Sequence, residues 1–503
     1  MPLPRVRRPM DHGDRPNVFV LSADSLRADA FRALMDEIPD LIGGVTFTNA
    51  VSTANATGSS MPSLVGGVYS ETVHAATRTL KFGASSAEDG ITTTAEALSE
   101  AGYDCRLWSS NHIVGAERHY DRGFENDDAG APSYKKRAQF LVQRLGSERL
   151  FDAARWGYFN VLNPLEDRFL SDDTYYEDAR SFHRDVLSSL GDERAGGQMR
   201  WIHYMDTHHP FDPPAEYLEK RDLNTERSRS RLAELSSRAI ITNRGAGISD
   251  EDVEDIEQAY LAACEHWRDE LAMFVTLLKR RGHFVPGRDV MIVTSDHGEG
   301  FDRESQGMIG HTPTPAFWED LVRVPLLVSN PDWEPGTVDR QVSHIDVMPT
   351  ILDAVGVDVP DSMEGRVAAE PADMGRERVF FSSVGPERVY RGICAENGWK
   401  LFSDRIRDVD VNHFTHADGD GHDHVRVLLT HYDADSETVR FEREIDEGTV
   451  PDSDPHREIY ESLLAELTDR RGALVTNRDD EGVPEDVEQQ LRDLGYVDDL
   501  PQQ

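Results

Sequence analysis

The feature that most restricts how this 503-residue chain can fold is a set of three short apolar runs, each ending in a cluster of polar side chains. Asn17 to Leu21 (NVFVL) leads into Ser22-Ala23-Asp24. Asp289 to Val293 (DVMIV) leads into Thr294-Ser295-Asp296-His297-Gly298, and Met199 to Tyr204 (MRWIHY) into Met205-Asp206-Thr207-His208-His209-Pro210. Short runs dominated by apolar residues are what a parallel strand buried on both faces requires. In an open α/β sheet ligands bind in the crevice outside the carboxyl ends of the strands, so the three polar clusters read as parts of one site. Helical periodicity fills the gaps at Asp173 to Leu190, at Ser249 to Arg281 and at Val347 to Val355. The second of these starts with Asp250, Glu251 and Asp252, which complement the helix dipole. The alternation predicts α/β layers.

After Val359-Pro360-Asp361 the texture changes. Shorter extended pieces near Val379 to Ser382, Val389 to Ala395, Lys400 to Ser403 and Arg426 to Tyr432 predict a smaller α+β domain over residues 375–503, following a larger unit over 15–374. A last helix is expected from Val483 to Leu494.

Acidic residues number 93 against 53 basic ones, a net charge of −40, so the surface repels nucleic-acid backbones and anionic lipids. Only six of the basic residues are lysine. A densely anionic, lysine-poor surface resembles those of proteins adapted to molar salt, and unfolding at low salt is the expectation. Cys105, Cys264 and Cys394 are far apart and form no CxxC pair, so neither a disulfide framework nor a zinc knuckle is indicated and a reducing cytoplasm is expected. The N-terminus has no apolar core of a signal peptide, and no run of about 18 apolar residues occurs, so no integral membrane contact is expected.

Six segments in order, NVFVLSADSLRADAF, ATGSSMPSLVGG, HYMDTHHPFDPP, VTSDHGEGF, IGH with FWEDLVRVPLLV, and VSHIDVMPTILDAVGVDVPDSMEGR, resemble the sulfatase branch of the alkaline phosphatase superfamily. The resemblance covers most of the chain. It implies a three-layer α/β/α sandwich with a large mixed, mostly parallel sheet over 15–374, plus the smaller C-terminal domain. It also implies a divalent metal and a covalent intermediate on a residue two positions before the proline of a C/S-x-P-x-R motif.

The residues make chemical sense beside it. Asp24, Asp296 and His297 offer two carboxylates and an imidazole, and open positions around an ion would be taken by Ser60 and a substrate oxygen. Imidazole favours Mn²⁺ or Zn²⁺, with Mg²⁺ or Ca²⁺ retained as alternatives. By resemblance Ser60 is the nucleophile, with Thr57 its closest competitor. Ser in place of Cys closes the usual route to formylglycine, so that modification is allowed for but not expected at Ser60, and the motif's arginine is missing because Leu64 stands there. His208 matches the histidine that protonates the leaving oxygen, and His311 one that contacts the anion. Asp206, His209 and His344 form a weaker candidate for a second metal site. Arg27, Arg323 and Asp346 read as structural ion pairs. The histidine-rich stretch His413 to His424 reads as a solvated loop, and Gln139 to Asn163 as a core-packing helix pair.

The leading expectation is a sulfatase-like, metal-dependent hydrolase of sulfate or phosphate esters, acting on a small-molecule or glycan ester. A phosphotransferase that passes a phospho group to a glycan or lipid acceptor is one alternative. A non-catalytic anion-binding scaffold is the other.

Overall fold

The structure is a computed structural model and describes residues 15–125, 176–191, 194–221, 223, 229–241, 248–301, 317–384, 389–403, 427–433, 438–445 and 455–474. Seven strands make the central sheet: β1 (Val18–Ala23), β2 (Val45–Val51), β3 (Asp104–Ser109), β4 (Gln198–Tyr204), β5 (Val290–Ser295), β6 (Arg323–Ser329) and β7 (Gly336–Ser343). Their order is β3-β4-β1-β5-β6-β2-β7. β3, β4, β1 and β5 run parallel. β6 is antiparallel to both β5 and β2, and β7 is parallel to β2. Two reversals restore the direction, so the chain leaving β2 emerges at the same edge as the chain leaving β1, β3, β4 and β5. Five segments therefore meet at one crevice.

All six residues of β1 are buried, which explains its unbroken apolar character. On one face Val18 and Val20 join a core with Met61 and Leu64 of α2 (Thr57–Gly66) and Ile351 of α5 (Val347–Ala354). On the other, Phe19 and Leu21 join Phe182 of α3 (Ala179–Leu190) and Trp267, Leu271 and Phe274 of α4 (Asp250–Arg280). Together with α1 (Ala28–Leu34) these helices make the expected three layers. α4 starts where Ser249 and Asp252 form a reciprocal capping box. α3 starts later than the periodicity predicts because Asp178 caps it, its carboxylate accepting from the Ser181 amide at 2.8 Å.

The second sheet is antiparallel, in the order β12-β11-β10-β9-β8: β8 (Arg378–Val384), β9 (Val389–Ala395), β10 (Trp399–Ser403), β11 (Val427–Asp433) and β12 (Thr438–Ile445). Tyr460 and Leu463 of α6 (Arg457–Leu474) cover Ile393 and Leu401, while Val379, Phe381 and Phe402 pack on Phe317, Trp318 and Leu321. This sheet also holds α2 from behind. Ser59 Oγ accepts from the Val384 amide at 3.1 Å and from Ser383 Oγ at 3.3 Å. The helix expected at Val483 to Leu494, the segment Gln139 to Asn163 and the stretch His413 to His424 lie outside the described residues. No helix of the described residues is long and apolar enough to cross a membrane.

Candidate active site

Asp24 stands just past the end of β1 and is fully buried. Its Oδ2 accepts from Asn111 Nδ2 at 2.9 Å and from Thr57 Oγ1 at 3.3 Å, and lies 3.2 Å from His203 Nε2. Its Oδ1 accepts from Ser25 Oγ at 2.9 Å. Ser25 has a left-handed backbone, φ +63°, which turns its amide onto Asp296 Oδ1 at 3.2 Å. A non-glycine residue in that region carries strain, and here the strain links the two carboxylates. Burial alone would raise Asp24, but the charge of His208 and the contacts with His203 and His297 hold it well below its ordinary value.

Asp296 and His297 follow β5 directly. Asp296 Oδ1 also accepts from the His297 amide at 2.9 Å, whereas its buried Oδ2 has no hydrogen-bond partner. His297 places Nδ1 2.7 Å from the Gly298 carbonyl, so Nδ1 carries the proton and Nε2 faces the carboxylates, 3.7 Å from Asp24 and 3.6 Å from Asp296. Burial lowers His297, but Asp296 and Asp24 outweigh it and raise the imidazole above its ordinary value. One ligand atom each from Asp24, His203 and Asp296 lie within 4.8 Å of one another. An orphaned buried carboxylate oxygen amid convergent oxygen and nitrogen donors fits a divalent cation.

The hydroxyl at this centre belongs to Thr57. It lies at the first turn of α2, with Oγ1 3.2 Å from His297 Nε2. Ser60 differs from the expectation: its Oγ turns back along its own helix to the Thr57 carbonyl at 3.4 Å and makes no hydrogen bond to Asp24 or Asp296. Three residues along a helix advance the chain by roughly 4.5 Å, which lifts Ser60 off the carboxylates that Thr57 meets.

His208, on the loop after β4, is close enough to Asp24 and Glu299 for its charge to lower both. Its Nδ1 bonds the His209 carbonyl and lies 3.3 Å from the Tyr176 hydroxyl. Glu299 is fully buried beside His297, and burial lifts it to about 7 against the lesser pull of His208 and His297. His311 lies outside the described residues.

Sequence reasoning missed His203, Asn111 and Glu299. His203 sits inside β4, where it passes for part of a buried run, held from behind by Ser22 Oγ at 3.0 Å from Nδ1. A polar residue two positions beyond β3 was the available signal for Asn111. The second metal candidate does not assemble, because its three members engage separate partners. Asp206 Oδ1 accepts from the Ala179 amide at 3.2 Å, His209 stacks on His208, and His344 Nε2 lies 2.9 Å from Thr294 Oγ1. Arg27 pairs with Asp29, Arg323 with Glu319, and Asp346 with Arg376, as ion pairs should.

These buried groups set an expected pH profile. Burial lowers His183 and His344 to about 3 and raises Asp206 and Glu299 to about 7. As pH falls from about 6.5 to 4.5, unfolding takes up two protons on these imidazoles and releases two from these carboxyls, so the four groups together contribute no slope to the stability of metal-free protein. Below about 4.5 that offset ends, and Asp24 and Glu319, which the fold holds below their ordinary range, join the imidazoles in taking up protons on unfolding, so stability falls with pH at about 1.4 kcal/mol per pH unit for each proton. Urea midpoints measured with chelator from pH 7 to 3.5 check this; a steady decline starting at 6.5 would show the carboxyls ionised in the fold.

A family model described as Sulfatase matches residues 16–357, more than half of the sequence. The chain belongs to the sulfatase family. This sulfatase-family chain is 28% identical over 172 residues to the uncharacterized sulfatase YidJ of Escherichia coli (strain K12), 33% of either protein. It is 24% identical over 300 residues to the choline-sulfatase of Rhizobium meliloti (strain 1021), 54% of either. The matched part thus spans a third to about half of these relatives. Among solved structures it resembles the phosphonate monoester hydrolase SpPMH from Silicibacter pomeroyi, with a TM-score of 0.61, 17% identity and coverage of 92% of this chain and 96% of that one. The phosphonate monoester hydrolase of Agrobacterium radiobacter gives a TM-score of 0.60 with the same identity and coverage. These likenesses place the sulfatase-family chain in its fold.

Proposed function

We propose that the protein is a metal-dependent hydrolase of phosphate, phosphonate or sulfate esters that works through a covalent ester on Thr57. The observation that carries this reading is the position of Thr57 Oγ1, 3.3 Å from Asp24 Oδ2 and 3.2 Å from His297 Nε2. Asp24, Asp296 and His297 would hold the ion, with His203 beside them, and the imidazoles favour Mn²⁺ or Zn²⁺ over Mg²⁺ or Ca²⁺. Such an ion, when bound, lowers the pKa of a neighbouring hydroxyl and neutralises charge on the transferred group.

Thr57 Oγ1 gives up its proton to solvent and attacks phosphorus or sulfur in line, and the bond to the leaving oxygen breaks. His208 gives that oxygen a proton. With Nδ1 engaged by the His209 carbonyl, Nε2 is the atom that carries it. His311 keeps its expected role against the oxygens of the anion. Water then gives a proton to His208 and attacks phosphorus or sulfur, the bond to Thr57 Oγ1 breaks, Oγ1 takes a proton back from solvent, and the inorganic anion is released. Threonine bears a methyl group on Cβ, so oxidation would give a ketone and not the aldehyde of formylglycine. A plain threonyl ester must be cleared by attack at phosphorus or sulfur, which supports phosphate and phosphonate esters ahead of sulfate esters. The alcohol half is a small molecule or a glycan, since the net charge of −40 opposes a nucleic acid.

Peptide-mass measurement over residues 54–70 after a quench with aryl phosphate, phosphonate and sulfate esters tests the reading. A phospho or sulfo adduct on Thr57 is expected. An adduct on Ser60 would return the role to that residue, and no adduct with intact turnover would remove the covalent step. Product analysis separates hydrolysis from transfer to an alcohol acceptor, and one divalent ion per chain separates either enzyme from a scaffold.

A further inference from the structure

The arginine that the sulfatase resemblance implies in the nucleophile motif is missing. Four positions on from Ser60 stands Leu64, and four on from Thr57 stands Met61. A different guanidinium reaches the same helix. Arg118 lies in the turn after β3 and is only 7% exposed. Its Cζ and Nη1 are 3.4 Å from where a Cβ on Gly58 would sit, so the group rests against the residue that follows Thr57. Ala56 at the cap of α2 offers no side-chain acceptor to the first amides of this ten-residue helix.

The charge of Arg118 is poorly matched by the described residues. Nε has no hydrogen-bond partner, and Nη1 reaches the Leu80 carbonyl at 3.5 Å, beyond ordinary N–H···O range. The Tyr120 hydroxyl lies 2.9 Å from the carbonyls of both Gly58 and Leu80, to one of which it donates, and its oxygen accepts from the Arg118 guanidinium without supplying a counter-charge. Glu117 feels its charge yet lies against His112, 3.8 Å away. Among the described residues no carboxylate pairs with Arg118, in a chain with 93 of them. A buried guanidinium without a counter-charge is costly in the folded protein, and the cost is offset only when an anion arrives.

We propose that Arg118 binds an oxygen of the tetrahedral anion at Thr57, in place of the absent motif arginine. The inference rests on the reading of Thr57 as nucleophile. Planar guanidinium geometry suits two oxygens of one phosphoryl or sulfuryl group, so lysine is an incomplete substitute.

The test compares wild type, Arg118→Gln, Arg118→Lys and Thr57→Ala. Inorganic phosphate and orthovanadate are the probes, read by calorimetry and by the rise in melting temperature. Arg118→Gln is expected to weaken phosphate binding about 100-fold and to lower kcat/KM by a similar factor, with Arg118→Lys in between. Without phosphate, Arg118→Gln is expected to melt at or above the wild-type temperature, because a buried charge that no described carboxylate pairs has been removed. A variant that melts lower without phosphate and keeps wild-type phosphate affinity would assign Arg118 a structural role and overturn the proposal. If Thr57→Ala keeps full turnover the nucleophile reading fails instead, whereas phosphate affinity still reports on Arg118.

Discussion

Thr57→Ala is expected to lose at least about 10⁴-fold in kcat/KM on an aryl phosphate, while Ser60→Ala stays within about threefold of wild type. The two hydroxyls are one helical turn apart, and only that of Thr57 meets Asp24 and His297. Alanine at 57 leaves no atom to form the covalent ester, so what remains is whatever positioning gives to attack by water. Thr57→Ser, which keeps the hydroxyl and drops the methyl group, should restore most of the rate if the oxygen is what matters. Steady-state kinetics on all three variants check this. Equal losses in Thr57→Ala and Ser60→Ala would show that the helix, and not a single hydroxyl, was disturbed.

Removal of the cation should have an effect of the same order. Dialysis against a strong chelator is expected to abolish turnover, and Mn²⁺ or Zn²⁺ to restore it more fully than Ca²⁺, because an imidazole accompanies the two carboxylates. Asp296→Asn should lower activity by about 10³-fold and lose the bound ion, since the partnerless Oδ2 is converted to an amide that coordinates hard cations poorly. Thermal melting provides a reading independent of turnover. A ligand at a thousand times its Kd stabilises by about 4 kcal/mol, so wild type should melt several degrees higher with the ion and Asp296→Asn should not. Full activity in chelator, with no ion by elemental analysis, would remove the metal from the mechanism.

The polar groups placed just beyond apolar strands were legible in the sequence. Asp24, Asp296 and His297 follow β1 and β5 because parallel strands buried on both faces must be apolar until the chain leaves the sheet. Thr57 was ranked behind Ser60 because a one-dimensional pattern does not show which hydroxyl at a helix start faces inward. Thr57, Ser59 and Ser60 all lie in the first turns, and only the rotation of the helix sends one to the carboxylates, one to β8 and one onto its own backbone. His203 lay hidden for another reason, since inside a strand it resembles any core residue and only the pairing of β4 with β1 brings it to Asp24. β12 escaped because TVRFEREI carries four charged residues in eight, which mask its alternation.

The bond from the Val384 amide to Ser59 has a consequence for biosynthesis. A ribosome makes the chain from its amino end, and folding begins while the remainder is still being added. More than three hundred residues separate the reactive helix from the strand that braces it. The newborn polypeptide can therefore bring its two carboxylates together only once β5 has been made, and cannot lock the hydroxyl-bearing turn until translation has passed β8, so its chemistry is armed late.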